Sequence, residues 1–109
     1  MEPLEAFGVV DVRVGRVLRV EPNEGARKPA FKLWIDFGPH GVKQSSAQLV
    51  ALYTADQLVG RLVVAAVNLG VRKINGFNSE VLVLGVPDEE GRVVLLAPDR
   101  DVPLGGRMF

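Results

Sequence analysis

The chain has 109 residues, 48% of them hydrophobic, which is enough for one core and too little for two, so a single domain over residues 1–109 is expected. It has no cysteine, which removes disulfides, thiolate nucleophiles and cysteine-ligated zinc together and suits a reducing compartment. Its 13 Lys/Arg balance 13 Asp/Glu, which argues against a grip on nucleic acid through bulk positive field. No stretch approaches the roughly 20 apolar residues needed to cross a bilayer, and the segment from Met1 to Phe7, with Glu2 and Glu5, lacks the pattern of a signal peptide. A soluble, cytoplasmic protein without membrane insertion is expected.

Charge is unevenly spread along the chain. Residues 11–73 carry a net +5, residues 74–109 a net −3 and residues 1–10 a net −2. Either this is an ordinary solvated surface, or Arg13, Arg16, Arg19, Arg27, Lys28, Arg72 and Lys73 form a basic face.

Val10, Val12, Val14, Leu18 and Val20 share one parity and Asp11, Arg13, Arg19 and Glu21 the other, the alternation of a half-buried strand. Arg16 breaks it after Gly15, where a bulge or bend is expected, and Pro22-Asn23-Glu24-Gly25 reads as a turn. Phe31, Leu33, Ile35 and Phe37 alternate with Lys32, Trp34 and Asp36 in a second strand, ended by the turn Gly38-Pro39-His40-Gly41. Trp34 on its outer face can cover a barrel end or meet a ligand. Val42–Leu49 is a polar strand, and the runs Leu62–Val67 and Val81–Val86 read as strands buried on both faces. Between them Thr54 to Leu58, with an N-cap candidate and Gly60 as a stop, predicts a short helix. Asp88-Glu89-Glu90-Gly91 predicts a hairpin turn before a last strand, Arg92–Leu96. Short strands with one helix inserted between the third and fourth predict an all-β, five-stranded OB-fold barrel with short helices.

The residues for catalysis are not assembled. His40 lies in a turn, Ser45 and Ser46 have no evident base, the acids at 88–90 are expected to be solvated with ordinary pKa values, and no glycine run has P-loop spacing. A binding module is expected, with no catalytic residue, metal site or cofactor.

Three segments in order carry a resemblance: Asp11-Val-Arg-Val-Gly-Arg-Val17; Ala30-Phe-Lys-Leu-Trp-Ile-Asp-Phe-Gly38 with Lys43-Gln-Ser-Ser-Ala-Gln48; and the stretch from Val67-Asn-Leu-Gly to Val83-Leu-Gly85. Together they resemble the tRNA-binding OB domain family, whose members include free-standing tRNA binders, synthetase appendages and a branch of secretion-related chaperones. The resemblance implies a homodimer and tRNA-binding competence and, for the chaperone branch, recognition of unfolded preproteins and of the export ATPase SecA. It also implies that Lys43–Gln48 and Arg72–Ser79 contribute to one ligand surface with Asn68 at its margin.

In the stretch Arg72–Ser79 the two cations Arg72 and Lys73, Gly76, the Phe77 ring and the small hydroxyl or amide side chains are the parts of a single-strand platform, in which cations hold phosphates and rings stack on bases at about 1–3 kcal/mol each. Alternatively Ile74 and Phe77 plug the barrel while the cations face water. The polar strand can read RNA edges or a peptide backbone, or it is a plain solvent-facing edge. The expected tRNA contacts are Asn68, Arg72, Lys73 and Ser79. For an unfolded polypeptide the expected contacts are Phe31, Trp34, Gln44, Ser45, Ser46, Gln48, Ile74 and Phe77. Glu80, beside the presumed phosphate contacts, is expected to weaken RNA binding by repulsion, which favours the chaperone branch. The apolar end Met108-Phe109 needs cover, either from the chain's own barrel or from a partner subunit. The resemblance favours a dimer interface of Leu4, Phe7, Arg107, Met108 and Phe109.

Overall fold

The computed structural model describes residues 1–109. A helix that the hydrophobic pattern did not announce, α1 (Pro3–Val9), opens the chain; proline stands in its first turn, where no hydrogen bond is lost, and none of its residues is buried. Strands β1 (Val12–Pro22), β2 (Phe31–Asp36) and β3 (Val42–Ala47) follow, with a 3₁₀ turn at Gly38–His40. Then come α2 (Ala55–Leu58), β4 (Leu62–Ala66), β5 (Arg72–Ile74), β6 (Phe77–Ser79), β7 (Leu82–Val83), β8 (Gly85–Pro87) and β9 (Val93–Leu95). Helix α2 forms where expected: the Thr54 hydroxyl accepts from the Gln57 amide, and the Gln57 side chain accepts from the Thr54 amide.

Five antiparallel strands make the main sheet in the order β3-β2-β1-β4-β7, with β5–β6 and β8–β9 as separate hairpins. The sheet rolls until its ends meet: the Glu80 amide donates to Gln44 O at 2.8 Å, and the buried Ser45 hydroxyl donates to Val81 O at 2.8 Å. This nearly closed barrel is the OB-fold. Its core includes Val17, Leu33, Ile35, Phe37, Leu58, Val63 and Ala65. β4 is buried on both faces, as its unbroken apolar run predicts.

Two strand readings are corrected. In β1 the register slips between Val17 and Arg19 against β2, so the bulge lies at Leu18, which is 48% exposed, and Val10 falls outside the strand. Gly15 has a different task. A Cβ there would lie 2.5 Å from Ile35 Cγ2 and 2.8 Å from the Phe37 ring, so its missing side chain is the space those residues occupy. The run Val81–Val86 is two short strands, because the chain leaves β4 after Leu84 N bonds Val64 O and pairs with β9 from Gly85 onward. Leu82 and Val86 are consequently about half exposed.

Candidate functional site

β5 and β6 form a hairpin with the two-residue tip Asn75-Gly76, in register Ile74↔Phe77, Lys73↔Asn78 and Arg72↔Ser79. Asn75 has φ 52° and Gly76 φ 77°, the left-handed pair that lets a tight turn follow the strand twist. The hairpin is held to the barrel on both sides. Phe77 meets Trp34 edge to face at 5.6 Å between ring centroids, with the Arg19 guanidinium 4.5 Å from the Trp34 ring and Lys32 Nζ 5.2 Å from the Phe77 ring. Gln44 Nε2 donates to Asn78 O at 2.8 Å, and the buried Asn23 donates from Nδ2 to Ser46 Oγ at 3.1 Å and towards Ile74 O at 3.5 Å. Asn75 Nδ2 donates to Glu24 O. The hairpin and the Glu24–Lys28 loop are thereby joined as two walls.

Two concavities flank the hairpin and meet at Ser46, Gln48 and Ile74, and only the smaller reaches the Glu24–Lys28 loop. The smaller, about 260 Å³, is bordered by Ala26, Arg27, Lys28 and Ala30. The larger, about 560 Å³, has Leu69, Val81, Leu82 and Val93 as apolar lining and Arg72 and Ser79 as polar lining. Arg27, Lys28, Arg72 and Lys73 are exposed and take part in none of the ion pairs of the chain.

Of the polypeptide contacts expected from the sequence, Ser46, Gln48 and Ile74 come together in this groove. Phe31 packs against the core, and Ser45 points into it. Trp34 and Phe77 cover one another on the outer face of the sheet, so the open indole expected there is a half-buried one. The Gln44 amide donates to Glu80 Oε1 at 2.9 Å and the Ser46 amide to Ser79 Oγ at 3.0 Å. These caps block the outer edge of β3 to an added strand.

Of the tRNA contacts, Arg72 and Ser79 line the groove, while Lys73 stands next to Arg72 on the hairpin. Asn68 serves the scaffold: it accepts from the Asp11 amide and donates to Val9 O, both at 2.8 Å. Glu80, expected to repel phosphate, does not line the groove, and its carboxylate is engaged by the Gln44 amide of β3.

Sequence reasoning missed Asn23, taken for a plain turn residue, and missed that the chain Ile74-Asn75-Gly76-Phe77 is a hairpin signature. The turn at 88–91 is also tighter than a solvated acidic cluster. The Asp88 carboxyl is held below the ordinary carboxylate range by the Arg92 amide first; desolvation opposes this, and the Arg92 guanidinium and the Glu90 amide add to the lowering.

The segments expected at a dimer interface also converge. Leu4, Phe7, Val10, Met108 and Phe109 line one exposed apolar hollow of about 540 Å³. Arg107 ties it together, donating to Gly8 O at 2.8 Å and standing 3.4 Å from Asp11 Oδ1, while the Met108 amide donates to Val12 O at 2.8 Å.

Residues 12–107 match the family model described as "Putative tRNA binding domain". The chain is 36% identical over 104 residues to the methionine–tRNA ligase of Methanosarcina acetivorans, a match covering 95% of this chain and 14% of that protein, so it spans a small part of the curated relative. Two solved structures align with the whole of this chain: the chaperone CsaA of Bacillus anthracis, 45% identical with a TM-score of 0.93 over 99% of that chain, and that of Picrophilus torridus, 41% identical with a TM-score of 0.91 over 100%. The chain belongs to the tRNA-binding domain family and is similar along its whole length to the CsaA chaperones.

Proposed function

We propose that this chain is a CsaA-like homodimeric chaperone of protein secretion in the cytoplasm, which holds unfolded or preprotein segments in the groove beside the β5–β6 hairpin that extends from the larger concavity to the Glu24–Lys28 loop. SecA is its expected partner in export. The observation that carries this reading is the larger concavity, whose apolar lining from Leu69, Ile74, Val81 and Val93 is rimmed by the donors and acceptors of Ser46, Gln48 and Ser79. Such a surface takes apolar side chains while satisfying the backbone beside them. Its likeness to CsaA over the full chain supports the same reading.

tRNA binding is the second reading, favoured by the unpaired cations Arg27, Lys28 and Arg72 on the groove walls, with Lys73 beside Arg72, and by the family match. Salt separates the two. Titrating the protein with a permanently unfolded polypeptide and with bulk tRNA at low and high salt is expected to show peptide affinity that holds or strengthens and tRNA affinity that falls steeply. Peptide affinity that collapses with salt, in parallel with tRNA, would overturn the apolar-groove reading.

The dimer pairs through the hollow formed by α1 and the Arg107–Phe109 tail, where Phe109 makes no use of its ring within the subunit, being fully exposed. Pairing there doubles the groove, so two weak sites act on one long ligand. Deleting residues 107–109 is expected to shift the sedimenting species from dimer to monomer at micromolar concentration, with the barrel still folded. An unchanged dimer would move the interface elsewhere.

A further inference from the structure

The chain has four asparagines, and the structure treats them differently. Asn23 is buried, Asn68 has its amide oxygen and its amide nitrogen both engaged, and Asn78 is followed by Ser79. Asn75 alone is followed by glycine, at an exposed hairpin tip. It is also the one non-glycine residue with positive φ. Around Gly76 a Cβ would find nothing within 4 Å, and the Gly76 backbone nitrogen, outside both strands, donates to no backbone carbonyl. The Asn75 amide nitrogen is the donor that joins the hairpin to Glu24 O.

We propose that Asn75 is a site of spontaneous deamidation, and that the reaction unlatches the Glu24–Lys28 loop from the hairpin. The Gly76 backbone nitrogen attacks Asn75 Cγ, a C–N bond forms, and the Cγ–Nδ2 bond breaks. Nδ2 departs as ammonia with the proton given up by the Gly76 nitrogen. Water then opens the five-membered imide at either carbonyl, leaving aspartate or isoaspartate at position 75, with no change of oxidation state. Exposed, unhindered asparagines are the thermolabile ones. The product has an acceptor where the donor stood. A carboxylate facing Glu24 O loses the hydrogen bond and adds repulsion, and it places a negative charge on the hairpin that carries Arg72 and Lys73. The loss of groove affinity that follows from this rests on the function proposed above; the reaction and the unlatching do not.

The full chain, incubated at mildly alkaline pH and mapped by peptide mass spectrometry, is expected to convert Asn75 to acid several-fold faster than Asn23, Asn68 or Asn78. Equal rates at all four would overturn the modification site. The Asn75→Asp variant reads out the latch without waiting for the reaction: limited trypsin digestion is expected to cut after Arg27 several-fold faster than in the unmodified protein, with far-UV circular dichroism unchanged. Unaltered cleavage at Arg27 would overturn the unlatching. Bulk tRNA binding by the same variant at low salt is expected to be weaker by several-fold. Wild-type protein that ignores tRNA would refute the tRNA reading while the mass and cleavage results decide this one.

Discussion

Phe37→Ala is expected to lower the unfolding free energy by about 3–5 kcal/mol. Phe37 is the largest of the fully buried side chains, at 0% exposure, and it stands where β2 ends and the 3₁₀ turn begins. Its ring fills the space left by Gly15 on β1, so truncation opens a cavity that neither the glycine nor the rigid strands around it can close. Domains of this kind are stable by about 5–15 kcal/mol, so a large share of the total is at stake. Urea unfolding followed by far-UV circular dichroism checks it: the midpoint is expected to fall with little change in slope. Gly15→Val tests the same contact from the other side, since its side chain would have to displace Ile35 and Phe37, at a cost of about 1–3 kcal/mol or more. If both variants kept the wild-type midpoint, the close approach of β1 to the end of β2 would not be what organises this core.

Replacing Arg72 and Lys73 together by alanine is expected to weaken tRNA binding roughly tenfold, from exposed ionic contacts worth up to about 1 kcal/mol each. The more telling quantity is the salt dependence. For each single-strand phosphate that the protein no longer neutralises, the slope of log affinity against log salt is expected to shrink by about 0.7. Both residues are exposed and outside the core, so thermal stability is expected to stay within about 0.5 kcal/mol of wild type. An unchanged slope in the double variant would move the phosphate contacts to Arg27 and Lys28 on the opposite wall, or away from the groove. Unfolded-polypeptide binding gives a control in the same preparation, because the apolar lining from Ile74 and Val81 is left in place.

The barrel was legible because its signals are local. Alternation from Phe31 to Phe37, the continuous run in β4 and the Thr54 cap each depend on neighbours a few residues away. Strand partners were harder. Nothing within Val81–Val86 says that the chain changes partner at Leu84, since an apolar run looks alike whether both its faces or one are covered. The site was legible in its segments and not in its assignments. Ser45, Ser46 and Gln48 sit in one polar stretch, yet Ser45 turns inward to close the barrel while Ser46 and Gln48 line the groove. Glu80, read as a charge set against phosphate, is a hydrogen-bond partner of β3.

Residue type and period are properties of short windows, and they were enough for the fold class, while the resemblance carried by three ordered segments pointed to the family and to the two stretches, Lys43–Gln48 and Arg72–Ser79, that border the groove. Which of those side chains share the groove and which hold the barrel was settled only by folding. The folded chain also brings in the Glu24–Lys28 loop as the second wall and gathers Leu4, Phe7 and Phe109 into one apolar hollow. Those outcomes depend on barrel closure, on the bulge at Leu18 and on hydrogen bonds between residues tens of positions apart, such as Asn75 with Glu24 and Asn68 with Asp11. Pairings of that range are set by what the folded core leaves unsatisfied, which no short window of sequence contains.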